Sequence, residues 1–129
     1  MPRVISTDKA PAAIGTYSQA VVYGDLLYIS GQIGLDPETG EFVADDFRQQ
    51  AQRVFKNILA IIEAAGAKVT NIIKFNVSIK DMDKFPIFNE VMQEFISEPY
   101  PARAVVAVKE LPKSAHVEVE TIVGMNDAL

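Results

Sequence analysis

The sequence predicts a mixed β-sheet with two helices on one of its faces, and three observations predict it. Two strand-like runs, 18–23 and 26–33, flank the two-residue turn signal Gly24-Asp25, which sets an antiparallel hairpin. Two stretches, 46–65 and 83–96, carry apolar residues at helical spacing. The strand-helix-strand order over 71–108 then implies a parallel crossover, because a parallel neighbour is reached only through a long connection. The element order is β-β-α-β-α-β-β.

Each element has a local cause. The chain start is punctuated by proline and glycine, and the hairpin follows it. LDPETG, residues 35–40, joins Asp36-Pro37 to a closing Gly40 and interrupts the sheet with a turn. From 46 to 65, Phe47, Ala51, Val54, Phe55, Ile58, Ile62 and Ala65 share one helical face, with aspartates before it and Gly66 after it. NIIKFNVSIK, residues 71–80, alternates, which puts Ile73, Phe75, Val77 and Ile79 on one side and Lys74, Asn76, Ser78 and Lys80 on the other. Asp83 is expected to cap the second helix, whose apolar positions are Phe85, Phe88, Met92, Phe95 and Ile96 and which Pro99 and Pro101 terminate. Residues 102–108 form the next strand, LPKS at 111–114 turns the chain, and the alternating segment 116–124 is the last strand. No repeat or low-complexity stretch appears.

A chain of 129 residues with 49% hydrophobic composition is expected to form one domain, 1–129. The formal net charge of −5 argues against nucleic-acid and anionic-membrane surfaces, both of which need a basic stripe. The absence of cysteine excludes disulfides, thiolate metal sites and a cysteine nucleophile. His116, the single histidine, has no G-x-S-x-G elbow beside it and excludes a multi-histidine metal site. The start, MPRVISTDKAPAAIG, has no sustained apolar run, and no segment is apolar enough to cross a bilayer, so a cytoplasmic protein is expected. Two helices cover one face of the sheet, yet residues 26–29 and 104–108 are apolar on both faces. The second face therefore needs a cover, and another copy of the chain in a symmetric oligomer is the expected one.

Seven positions stand out as candidate chemistry. Arg103 interrupts the apolar run YPARAVVAV, and its planar fork matches a carboxylate through two parallel hydrogen bonds. A small organic acid fits that fork, and so does a protein carboxylate such as Glu118 or Glu120. Those two glutamates share one face of the last strand, where enclosure would raise one pKa and make it a proton carrier; the alternation alone favours a solvated face. In YISGQIG, Ser30 and Gly31 at a strand end permit close approach of a ligand to the backbone, and the same pair also marks a β-bulge. Tyr17, after Gly15, brings a phenol over such a pocket or packs amphipathically. Asn89 interrupts the apolar stripe of the second helix, where a helix-face hydrogen bond would account for it.

Taken together, IGTYSQAV, YISGQIGLDPETGE, FNEV and PARAVVAVKELPKSAHVEVE resemble the RidA family, also called YjgF, of small enamine and imine deaminases, in order from residue 5 to 124. The resemblance implies a chorismate-mutase-like α+β fold and a homotrimer with clefts between neighbouring subunits. It implies hydrolysis of reactive 2-iminoacids, 2-iminobutanoate and 2-iminopropanoate, which arise when pyridoxal-phosphate enzymes eliminate water from threonine or serine. The products are the 2-ketoacid and ammonia, and no cofactor is implied. Carried over by motif, Arg103 grips the substrate carboxylate and Glu118 positions the hydrolytic water. Tyr17, Ser30 and Gly31 line the pocket, with Asn89 at a further pocket position. Three departures from the family pattern stand out: Thr16 replaces a usual proline, which frees φ in the loop carrying Tyr17; Val105 replaces a frequent cysteine; and Ser114 replaces a common aspartate. Two other functions are weighed against deamination. A non-catalytic module holding a 2-ketoacid would use the same arginine, whereas RNA cleavage is disfavoured by the acidic charge and the lack of paired histidines.

Overall fold

The computed structural model describes residues 1–127, so the last two positions of the expected 1–129 domain lie outside the described residues. Strands β1 (Arg3–Ile5), β2 (Ala20–Tyr23), β3 (Leu26–Gln32), β4 (Ile72–Ile79), β5 (Ala102–Ala107) and β6 (Val117–Gly124) form one six-stranded sheet in the order β1-β2-β3-β6-β4-β5. Every pairing is antiparallel except β4 with β5, which is the parallel crossover the sequence implies. Helices α1 (Phe47–Ala64) and α2 (Phe85–Phe95) cover one face. The hairpin closes with Tyr23 opposite Leu26, and Gly24 supplies the positive φ of 61° that its two-residue turn requires.

Asp46 starts α1 by accepting the Gln49 amide at 3.0 Å, which satisfies one of the helix's orphan donors. The helix ends where Gly66 takes φ 78°. Its apolar stripe buries Ala51, Val54, Phe55, Ile58, Ile61 and Ile62 against the sheet. Phe55 is the hub of this core. Its ring lies 5.6 Å from Phe75 of β4 edge-to-face, 5.6 Å from Phe88 and 5.5 Å from Phe95 in a stack, so one side chain joins the sheet to both helices.

Three expectations are corrected. Ile73 does not share the buried side with Phe75; it is 46% exposed, because Ile72 pairs with Val123 and Lys74 with Ile122, leaving Ile73 as an extra residue in a bulge that shifts the alternation. Asp83 does not cap α2. It sits inside a single 3-10 turn, Met82–Lys84, capped by Asp81, and α2 begins beyond it with Pro86 in its first turn, where no N–H is missed. The chain start contributes the three-residue strand β1, too short to show a period in sequence. The strand bearing Arg103, β5, is an edge strand whose residues are largely exposed, so the apolar run is not buried within one chain.

Phe55→Ala should cost about 3–5 kcal/mol, the usual loss for truncating a buried aromatic. Urea unfolding followed by circular dichroism at fixed protein concentration measures it. A loss under about 1 kcal/mol would show that the three rings close over the gap.

Candidate active site

Between β3 and β6 the register breaks: Ile29 pairs with Thr121 and Gln32 with Val119, so Ser30 and Gly31 together face Glu120. This is a β-bulge, and it re-aims the backbone at the pair where the sequence admits either a bulge or a close approach of a ligand. A Cβ on Gly31 would stand 2.8 Å from the Glu118 carboxyl carbon, closer than atoms approach, so only glycine lets the Glu118 side chain lie across β3. Gln32, buried, donates its amide to the Ser30 carbonyl at 3.2 Å and braces the bulge.

Glu118 pairs with Ser78 and Glu120 with Asn76, which puts both carboxylates on the sheet face away from the helices. Burial pushes the Glu118 carboxyl above the ordinary glutamate value of 4.5, and the negative charge of Glu120 adds to the rise. Glu120 remains exposed. It lines a hollow of about 320 Å³ with Ser18, Tyr28, Ser30, Asn76 and Ile122.

Arg103 lies opposite Phe75 in the parallel pair and therefore on the helix face. One Nη donates to Asn89 Oδ1 at 2.8 Å and meets the Met92 sulfur at 3.6 Å, while the guanidinium carbon sits 5.2 Å from the Phe85 ring centroid. Among the described residues no carboxylate reaches it, so neither Glu118 nor Glu120 is its partner. Both glutamates stand on the opposite side of the sheet. The fork opens instead into a cavity of about 420 Å³ lined by Asn89, Met92, Gln93, Tyr100 and Pro101. Asn89 thus makes a helix-face hydrogen bond to the cation itself.

Tyr17 is half exposed, with its ring 3.8 Å from the position a Gly15 side chain would take; Gly15, at φ 125°, leaves that space open. The Ser30 hydroxyl donates to the Ser18 carbonyl at 2.6 Å, so its proton is committed and its lone pairs alone remain for a ligand. Within one chain, then, Ser30, Gly31 and Glu118 cluster, Asn89 and Arg103 cluster, and the two clusters occupy different faces. The sequence reading missed the buried amides of Gln19 and Gln32, which carry no sequence signal beyond being polar. Among the described residues no group of three or more His, Cys, Asp or Glu is arranged around a metal-sized space, and no helix is long and apolar enough to cross a membrane.

A family model described as Endoribonuclease L-PSP matches residues 7–125. The chain belongs to the RidA/YjgF family. Its relatives include a 2-iminobutanoate/2-iminopropanoate deaminase of Dermatophagoides farinae, 50% identical over 94% of each chain. Among solved structures, RidA from an Antarctic Psychrobacter species superposes with a TM-score of 0.92 at 55% identity, covering 95% of this chain and 98% of that one. E. coli TdcF with bound serine superposes with a TM-score of 0.91 at 42% identity, covering 96% and 99%. The RidA fold that the sequence motifs imply is therefore the fold of this chain, including the β3–β6 bulge at ISGQ and the parallel β4–β5 pair leading into PAR.

The raised Glu118 carboxyl has a signed effect on stability. The folded chain holds this proton more tightly than the unfolded chain, so the group favours folding at acid pH and that contribution is lost as pH rises through its raised value. Glu118→Gln should be at least as stable as wild type at neutral pH, with the difference vanishing below the ordinary value of 4.5. Denaturation midpoints across that range test it, and a variant that is less stable at neutral pH contradicts it.

Proposed function

We propose that this RidA-family chain, as one domain, hydrolyses the 2-iminoacids 2-iminobutanoate and 2-iminopropanoate to 2-ketoacid and ammonia in the cytoplasm, assembled as a homotrimer with sites between neighbouring subunits. The observation that carries the reading is the Arg103 guanidinium, held on one side by Asn89 and open to a cavity on the other, with no protein carboxylate on it. A fork fixed in this way fits the carboxylate of a small acid through charge-assisted, paired hydrogen bonds. The curated relatives that carry the deaminase name support the same substrate class.

Hydrolysis needs a water aimed at the electrophilic C=N carbon and a group to move its proton. Glu118, half-buried and with a raised pKa, suits both tasks: its carboxylate takes a proton from water as the oxygen bonds to carbon and returns it to nitrogen, giving the carbinolamine; it then takes the carbinolamine hydroxyl proton and passes it to nitrogen as C=O forms, the C–N bond breaks and ammonia leaves. Arg103 orients the acid, which converts the attack into an effectively unimolecular step. Tyr17, Ser30 and Gly31 would line the same pocket, with Asn89 holding the arginine. Neither metal nor cofactor is required for this chemistry.

Arg103 and Glu118 lie on opposite faces of one sheet, so a site that uses both is built from two copies. The uncovered face supports this, since Tyr23, Tyr28, Ile73 and Val106 are each 44–67% exposed there or beside it. Cover by neighbouring sheets would bury those side chains and enclose Glu118 further. A second reading has its own support. The cavity around Arg103 has no glutamate in its lining, which is the arrangement a carboxylate-binding module without catalysis would need.

A serine or threonine dehydratase coupled to this protein, with semicarbazide competing for the imine, separates these readings. Ketoacid release should accelerate with wild type, Arg103→Ala should lose about 100-fold or more in kcat/KM, and Arg103→Lys should recover only part because an ammonium cannot pair bidentately. Ketoacid binding without acceleration would establish the binding module instead. The rate should also fall on acidification with a midpoint above 4.5, as Glu118 takes up its proton, and Glu118→Gln should abolish that limb.

A further inference from the structure

Gln19 is 3% exposed, in a segment that otherwise presents small or apolar side chains to the interior. Its Oε1 accepts the Thr7 amide at 2.7 Å, and its Nε2 is shared among the carbonyls of Pro11 at 2.7 Å, Thr7 at 3.0 Å and Ala10 at 3.3 Å. One side chain therefore satisfies four backbone groups of a loop that has no regular structure of its own between β1 and β2. Its main chain is anchored at the same time, because the Gln19 carbonyl accepts the Ser30 amide at 2.9 Å while the Ser30 hydroxyl reaches Ser18. Ser30 is bonded directly to Gly31, and Gly31 is the residue that makes room for the Glu118 carboxyl. A continuous chain of contacts thus runs from Thr7 through Gln19 and Ser30 to Glu118.

Tyr17 hangs from this arrangement. It is two residues from Gln19 and rests on Gly15, whose φ of 125° is accessible to glycine and few others. Thr16 lies between them without a proline ring to fix φ. Among the described residues no side chain of the 11–17 stretch makes a hydrogen bond that would fix the loop from within. The fixing comes from Gln19 below it.

We propose that Gln19 is a positioning residue of the deaminase site: its buried amide locks the 7–17 loop onto the β3 bulge and thereby sets Tyr17 in register with Glu118. The proposal rests on the deaminase reading for its kinetic consequence and on the loop alone for its structural one.

Hydrogen exchange and kinetics together test it. In wild type the Thr7 amide should be protected, since Gln19 Oε1 accepts it, and Gln19→Met should abolish that protection while α1 and β4 keep theirs. An unprotected Thr7 amide in wild type, or one still protected in the variant, overturns the proposal whether or not the protein proves to be a deaminase. If deaminase activity is present, Gln19→Met should lower kcat/KM by about 10- to 100-fold, the range expected when a site group is displaced by an ångström. The same substitution in a Tyr17→Ala background should cost nothing further, because the residue through which Gln19 acts is then gone. An equal loss in both backgrounds would show that Gln19 supports the fold in general, and would overturn its positioning role. Should Gln19→Met fail to fold, Gln19→Glu, which keeps the acceptor for the Thr7 amide and loses the donor to the Thr7, Ala10 and Pro11 carbonyls, takes its place in the same kinetic comparison, with the same outcomes.

Discussion

Two helices cover one face of six strands, and the environment of Glu118 follows from the face left open. A half-covered antiparallel sheet usually alternates apolar residues inward with polar residues outward. Here the outward rows carry Tyr23, Tyr28 and Ile122 beside Glu118 and Glu120, so the open face is neither a solvated surface nor a core. Such a surface gains by association, and association would take Glu118 further out of water. The carboxylate with the raised pKa and the uncovered tyrosines are in this sense one feature of a single uncovered face.

The β3–β6 bulge gives that face its polar centre. An unbroken ladder would have placed Ser30 and Gly31 in strict alternation, with a side chain standing where the Glu118 carboxyl now lies. The extra residue turns the strand, and glycine at the turn removes the Cβ that would meet the carboxyl at 2.8 Å. Packing, more than hydrogen bonding, is then what raises the Glu118 pKa, since no hydrogen bond to its carboxylate accompanies the shift among the described residues. Substituting any residue with a side chain at position 31 would force Glu118 back toward solvent and toward an ordinary pKa.

Element type and order were legible in the sequence because each long element has a strong period or punctuation: the stripe from Phe47 to Ala65, the Gly24-Asp25 turn, and the closing alternation of β6. What was illegible has a common cause. Ile73 and Asp83 follow the local pattern, but the pattern is overridden by a one-residue bulge in the first case and by a 3-10 turn followed by Pro86 in the second. Strand β1 has three residues and no period to read. At the site, the types of residue were legible and their placement was not. Motifs single out Arg103, Glu118, Tyr17, Ser30, Gly31 and Asn89 as candidates, yet only the sheet register reveals that the cation and the acid stand on opposite faces. The buried amide of Gln19 gives no sequence signal beyond being polar, because its four partners are backbone groups, and backbone groups are present at every residue.

Opposite placement also answers why Arg103 remains free. Unit charges of opposite sign near a protein surface, about 4 Å apart, attract by about 4 kcal/mol before desolvation is counted. Had β5 presented Arg103 on the same face as Glu118 and within reach, the two would satisfy each other, the glutamate pKa would fall, and neither would be available to an incoming acid or a water. The sheet prevents that collapse within a chain by a parity of strand positions: Arg103 pairs with Phe75 and Glu118 with Ser78, three residues apart on β4, an odd interval that sends them to opposite sides. Asn89, neutral, holds the guanidinium by its oxygen without neutralising it, and Phe85 and Met92 shield its flank. The cation is thereby fixed in direction and kept whole in charge, which is the state a carboxylate ligand needs to find.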